Sequence, residues 1–190
     1  MSDGFDNDYG RSEIGGMNGP IKWESLLEGD GLDGWENQTP VWSRDGETIV
    51  VASEDSGNVG PLERGDSSWE SYELKTQITM HRAPAVQIGF RISDAGRYVF
   101  QFLNGWKCAC ICSRNESGLS KLDVVDFPVE AGREYDLVIA AREKSIVTYI
   151  DGVLINRLTD DTYQDGGVAI GIWGKNSNVL FRDPKIRHYS

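Results

Sequence analysis

Residues 132–155, GREYDLVIAAREKSIVTYIDGVLI, determine the predicted fold. Two apolar runs, EYDLVIAA (134–141) and SIVTYI (145–150), lie close together and are joined through Glu143 and Lys144. Asp151-Gly152 follows between two further apolar runs, and this dipeptide is among the strongest short-range signals for a hairpin turn. The stretch therefore predicts consecutive strands that fold back on each other through tight turns.

The same strand signal recurs along the chain. Apolar and polar residues alternate with a period of two in SYELKTQITM (71–80), AVQIGFRI (85–92) and YVFQFL (98–103). GGVAIGIWG (166–174) and NVLFRDPKIRHY (178–189) are predicted as two final strands, and Pro184 indicates a bulge or an edge position in the last one. No convincing amphipathic helical window exists, so we expect an all-β fold, a two-sheet antiparallel sandwich with few or no helices.

Composition limits the partners. The net charge of -11 and pI near 4.6 argue against nucleic acid and against an anionic membrane surface. No apolar run approaches the roughly 20 residues that cross a bilayer. Residues 1–20 are predicted to be a flexible arm, and residues 21–190 a single domain. That N-terminus has no secretory pattern, which predicts a cytoplasmic protein if it is native and allows an extracellular one if it has been trimmed.

Three cysteines occupy every second position of WKCACICSRN (106–115). In a strand Cys108, Cys110 and Cys112 project from one face about 7 Å apart, too far for three sulfur atoms to reach one zinc ion easily. The same spacing disfavours disulfides between neighbours. We therefore interpret the cysteines as small apolar residues that line the floor of a pocket, with Ala109 and Ile111 facing the opposite way.

Five segments in order resemble one superfamily, and together they extend over residues 21–189. They are WESLLEGDGLDGW (23–35), VWSRDGETIVV (41–51), GFRISDAGRYVFQF (89–102), GREYDLVIAAREKSIVTYIDGVLI (132–155) and GGVAIGIWGKNSNVLFRDPKI (166–186). The chain resembles the concanavalin/laminin-G-like jelly rolls, and within them the 3-keto-glycoside hydrolase-like group and related sugar-binding modules. The resemblance implies two antiparallel sheets, one of them curved, with ligands on the concave face. The chain departs from the hydrolase-like group in the penultimate turn, where Trp173 and Lys175-Asn176 stand in place of Gln and His.

The candidate ligand site combines polar and aromatic residues. The alternation predicts Gln87, Arg91 and Gln101 on the face opposite the aromatic core, with Arg91 as a bidentate donor. The alternative is a solvated outer face held by cross-strand contacts. Trp106 and Trp173 lie at strand ends, where their rings can stack on sugars or simply pack.

Catalysis by paired carboxylates is the main alternative function. Glu73, Asp123 and Asp126 are the candidates, since glycoside hydrolysis needs two carboxyl groups about 5–9.5 Å apart. With thirty acidic residues in the chain, such candidates also arise by chance. Neither histidine lies in a recognisable nucleophile motif, which disfavours a Ser–His–Asp arrangement.

No cofactor is required by the sequence, and metal ligands are not identified. The acidic turns EGDGLDG (28–34) and TDDTYQDGG (159–167) could supply oxygen ligands to a structural Ca²⁺, although the favoured interpretation is that they are solvated turn residues. The leading prediction is binding of a carbohydrate or similar polar small ligand. The alternatives are a small jelly-roll enzyme, either keto-glycoside hydrolase or lyase-like or a biosynthetic enzyme acting on a small molecule, and a protein-interaction module, including a homodimer.

Overall fold

The computed structural model describes residues 22–54 and 58–189, and this part of the chain forms fourteen β-strands. In chain order they are β1 Glu24–Ser25, β2 Trp42–Asp45, β3 Thr48–Ser53, β4 Asn58–Arg64, β5 Tyr72–Arg82, β6 Ala85–Ser93, β7 Gly96–Leu103, β8 Cys108–Asn115, β9 Gly118–Asp126, β10 Glu134–Arg142, β11 Ser145–Ile150, β12 Val153–Thr159, β13 Gly167–Trp173 and β14 Ser177–His188. The predicted arm, residues 1–20, lies outside the described residues.

The strands form two antiparallel sheets. One has eight strands in the order β12-β11-β10-β5-β14-β3-β2, with β1 paired to β14, and the other has six in the order β4-β13-β6-β7-β8-β9. Within the described ranges there is no helix. The prediction of an all-β, two-sheet jelly-roll sandwich is therefore confirmed.

The hairpins lie where the sequence predicts them. Glu143 and Lys144 alone connect β10 to β11, and Glu143 has φ 49°. Asp151 and Gly152 connect β11 to β12 with φ values of 49° and 76°, as a type I′ turn requires at both central positions. Pro184 lies in a register shift between Arg182 and Lys185 of β14, so the predicted bulge is also present.

The core lies between the sheets. Tyr72, Leu74 and Ile78 of β5 face Phe90, Phe100 and other apolar residues of the six-stranded sheet, and all are buried. Because side chains alternate along a strand, this arrangement leaves one outward face on each sheet.

No helix of the described residues is long and apolar enough to cross a membrane.

Candidate functional site

The outward face of the six-stranded sheet, called here the groove face, is ordered in rows by strand register. Each row takes one residue from β6, β7 and β8, and the rows are Ala85–Leu103–Cys108, Gln87–Gln101–Cys110 and Gly89–Val99–Cys112, followed by the pair Arg97–Arg114 of β7 and β8. The predicted strand conformation of the cysteine segment is thereby confirmed. Gln87 and Gln101, which the alternation assigned to one face, are direct cross-strand partners.

A groove of about 290 Å³ follows this face across β4, β13, β6 and β7, and Arg114 of β8 lines it at one end. Its floor is formed by Gly89, Ala169 and Gly171, which leave space above the backbone because they carry at most a methyl group. Gln87 is half-buried and lines the groove beside them. The depression therefore results from the small residues of its floor. Gln87 supplies an amide that can both donate and accept hydrogen bonds.

Beside the groove, Gln101 and the cysteines form a closed layer. Gln101 is only 3% exposed, and its Oε1 lies 3.6 Å from the sulfur atoms of both Cys110 and Cys112. The two sulfur atoms are 3.7 Å apart, and all three cysteines are free and buried. The hydrogen bond toward Cys112, together with burial, raises the pKa of the Cys110 thiol well above its usual value. The same hydrogen bond lowers the pKa of the Cys112 thiol. Because all three sulfur atoms are buried, we interpret the cysteines as lining groups. Gln101 supports the face, while Gln87 is the accessible amide.

Two exposed tryptophans lie at one end of the groove face. Trp173, at the end of β13, is 55% exposed and pairs with Ala85, while Trp106, in the turn after β7, is 69% exposed. Lys121 of β9 holds its ammonium 4.1 Å from the centre of the Trp106 ring. This cation–π contact orients one face of the ring and leaves much of it accessible.

The other end of the groove face is charged. Arg97 donates to Glu63 at 2.9 Å, and this ion pair reaches from β7 to β4, over β13 and β6. Such a span of about 14 Å between strand axes is feasible because Ala169 and Gly89 project little from the sheet. A second cavity of about 440 Å³ lies beyond the pair, and Arg97 and Arg114 line both spaces.

Sequence reasoning missed these charged residues. A signal for two of them existed, since Arg97 continues the alternation of Val99 and Gln101, and Arg114 continues that of the cysteines. Glu63 carries no such signal, because its place depends on the pairing of β4 with β13 far along the chain.

The prediction that Arg91 shares the groove face is wrong. Strand β6 contains a bulge, so its register shifts against both neighbouring strands, β13 and β7. The extra residue of this bulge is Arg91, which has φ 50°. Its side chain turns inward and is fully buried. The guanidinium donates to the carbonyl oxygens of Glu143 (2.7 Å), Tyr163 (3.2 Å) and Glu70 (3.1 Å), so it binds loops of the protein rather than a ligand.

The three candidate carboxylates do not converge. Glu73 lies on the outward face of the eight-stranded sheet, where Arg187 Nε donates to it at 2.6 Å. Asp123 lies on the inward side of β9 and accepts from Asn156 Nδ2 at 3.0 Å. Only Asp126, the cross-strand partner of Cys108, lies on the groove face. The expected pairing of Glu73 with Asp123 or Asp126 is therefore not formed.

The acidic turns bind protein groups. Asp161 forms an ion pair with Lys144 at 2.6 Å, and Glu28 forms one with Arg64. Asp160 accepts from Thr162 N at 2.9 Å and from the Tyr98 hydroxyl. Across residues 22–54 and 58–189, no group of three or more His, Cys, Asp or Glu side chains is arranged to hold a metal ion.

Comparison with known proteins identifies the family. The model of the 3-keto-alpha-glucoside-1,2-lyase-like domain matches residues 22–187, so the chain belongs to that family. The resemblance inferred from sequence is confirmed at this level.

Individual relatives are more distant. The extracellular exo-alpha-L-arabinofuranosidase of Streptomyces chartreusis is 27% identical over 103 residues, which are 53% of this chain but only 12% of that enzyme. The carbohydrate-binding module CBM66 from Bacillus subtilis has 14% identity and a TM-score of 0.58, covering 87% of this chain and 94% of the module. Caenorhabditis elegans galectin LEC-6 has 16% identity and a TM-score of 0.54, covering 74% and 95%. At these identities the structural likeness establishes a shared fold.

Proposed function

We propose that this member of the 3-keto-alpha-glucoside-1,2-lyase-like family binds a carbohydrate on the groove face. The observation that carries the proposal is the combination of a shallow groove floored by small residues with two exposed tryptophans at one end. Sugars present flat C–H faces and rings of hydroxyl groups, so they match aromatic surfaces beside amide and charged groups. The names of CBM66, the galectin and the arabinofuranosidase are consistent with this class of ligand.

Each residue has a distinct part in the proposed site. Gln87 exchanges hydrogen bonds with sugar hydroxyls from the groove wall. Trp106 and Trp173 stack on sugar rings at the end of the face. Gln101 and the cysteines form the closed layer beside the groove, and Gln101 is too buried to contact the ligand directly.

Isothermal titration against a panel of oligosaccharides tests the proposal. Trp173→Ala and Trp106→Ala should each weaken binding about tenfold or more, because burying an aromatic side chain contributes on the order of 1–3 kcal/mol. Gln87→Ala should weaken it as well. Matched controls are Val153→Ala and Gln164→Ala, which replace exposed residues away from the groove face and should bind as the parent protein does. Equal affinities for all five variants would refute the site.

A second candidate, cleavage of a sugar, is favoured by the family itself. Of the three carboxylates first considered, Asp126 alone shares a face with the groove. We therefore propose a direct assay of a 3-keto-alpha-glucoside with the parent protein, Asp126→Asn and Glu73→Gln. Turnover lost only in Asp126→Asn would support catalysis on this face. The absence of turnover in the parent protein would count against the enzyme and leave the binding proposal standing.

A further inference from the structure

The charge of the groove is opposite to the charge of the chain. The chain has 30 acidic and 19 basic residues. The described residues that line the groove nevertheless include two arginines, Arg97 and Arg114, and no carboxylate. The two arginines are direct cross-strand partners on β7 and β8, so their guanidinium groups start from adjacent positions at one end of the groove.

Within residues 22–54 and 58–189, only one of the two positive charges is neutralised by a carboxylate. Arg97 is paired with Glu63 at 2.9 Å, and both side chains are partly buried. Among the described residues, no carboxylate lies within salt-bridge distance of Arg114, whose side chain is exposed. Lys121, on the cysteine side of the same face, adds a further ammonium that is directed at the Trp106 ring. Arg114 is therefore the cation of the groove lining that is left without a carboxylate partner. The carboxylates at this end, Glu36, Glu63, Asp94 and Glu116, line the larger cavity beyond the ion pair and not the groove itself.

The two ends of the face are far enough apart for an oligosaccharide. Cys108 lies in the row next to the tryptophans, and Arg114 lies six positions further along β8. At a rise of about 3.3 Å per residue this separation is roughly 20 Å, more than a single sugar ring spans. A chain of several sugar units can thus contact the tryptophans at one end and the arginines at the other.

We infer that the groove takes an acidic oligosaccharide, with a uronic acid carboxylate bound by Arg114. The inference rests on the proposed carbohydrate function and names its ligand class. A planar guanidinium matches a carboxylate with two parallel hydrogen bonds, a geometry that a neutral hydroxyl cannot reproduce. Arg97 is held in place by Glu63 and serves as the neighbouring wall, so Arg114 is the residue that determines preference for the acid.

Matched pairs of ligands test the inference by isothermal titration. The first pair is oligogalacturonate and the same oligomer with its carboxyl groups methyl-esterified, which removes charge and keeps the sugar skeleton. The second pair is oligomannuronate and its carboxyl-reduced counterpart. We expect the acidic member of one pair to bind about tenfold or more tightly than its neutral partner at low salt. This preference should shrink as salt is raised, because the arginine is solvent-exposed.

Two variants test whether Arg114 causes the preference for the acidic ligand. Arg114→Gln should bring the acidic ligand close to its neutral partner in affinity while binding of the neutral ligand stays within about twofold. Arg157→Gln, an exposed arginine of β12 in the other sheet, is the matched control and should keep the preference.

Each outcome supports or overturns either the acidic ligand or the carbohydrate site. Neutral sugars that bind as well as acidic ones, with Trp173→Ala weakening both, would overturn the acidic ligand and keep the carbohydrate site. An acid preference that survives Arg114→Gln would place the acid elsewhere and overturn the assignment. Failure of every ligand in both pairs and in the neutral panel would overturn the carbohydrate site and this inference together.

Discussion

Replacing Arg91 with methionine should destabilise the protein strongly without changing ligand binding. Methionine keeps a long flexible chain at this buried position but removes the guanidinium. The change therefore isolates the hydrogen bonds that Arg91 makes with Glu143, Tyr163 and Glu70.

The expected loss follows from those contacts. Three carbonyl oxygens lose their donor, at a net cost of about 1 kcal/mol for each hydrogen bond, which gives about 3 kcal/mol in total. Burial of the guanidinium opposes part of this stabilisation, and the same burial lowers the pKa of Arg91. The backbone N–H of Arg91 still donates to the Tyr72 hydroxyl at 2.8 Å in the variant, so that contact does not contribute to the difference.

Urea unfolding followed by tryptophan fluorescence measures the change in the free energy of unfolding. Arg91→Lys should lie between the parent and Arg91→Met, because one ammonium cannot serve three carbonyl groups spread around a planar guanidinium. Arg157→Met is the exposed control and should remain within about 0.5 kcal/mol of the parent protein. A value for Arg91→Met within about 1 kcal/mol of the parent would refute the assigned role of the three hydrogen bonds.

Three further predictions concern other residues. Gly171→Leu should fill the groove floor and weaken oligosaccharide binding by about tenfold. The urea midpoint should change little, since a Cβ at this position meets Pro61 at an ordinary 3.4 Å. Unchanged affinity would exclude the floor from the site. Burial raises the pKa of Asp160, but hydrogen bonds from the Tyr98 hydroxyl and Thr162 outweigh it and hold this pKa below 3.8. Asp160→Asn should therefore be less stable than the parent at neutral pH, and this difference should disappear as the pH falls below about 4. A difference in the free energy of unfolding by urea that persists in acid would contradict this. Iodoacetamide should label the native thiols slowly and all three after unfolding, as judged by mass spectrometry, because all three cysteines are buried. Cys110 should be the slowest, since its pKa is raised while that of Cys112 is lowered. Rapid native labelling of Cys110 would contradict the lining role.

The strands and turns were predictable because their signals are local. Alternation with period two assigned Tyr72, Leu74 and Ile78 to the core face, and Asp151-Gly152 assigned a hairpin that the structure contains. The same alternation in two adjacent strands assigned Gln87 and Gln101 to one face, and their direct pairing is a finding of the structure. Such patterns depend only on residues close together in sequence.

The errors arose where geometry depends on distant residues. Arg91 fits the alternation of β6 in the sequence, and its positive φ is uncommon for a residue other than glycine, so no local pattern announces the bulge. The bulge is stabilised by carbonyl groups of residues 70, 143 and 163, which belong to separate loops. The ion pair of Arg97 with Glu63 likewise requires the order of strands β4 to β7, which alternation alone does not give.

The bulge also explains why stability and binding are assigned to different arginines. Without the extra residue, Arg91 would project onto the groove face near Gly89, and its long side chain would cover part of the floor. With it, the guanidinium bridges three loops at one end of the core, while Ile92 takes the outward position and lines the cavity beside Arg97. The open floor between Gln87 and Arg114 thus depends on one residue being turned inward. A ligand groove and a buried structural cation are two consequences of the same local change in register.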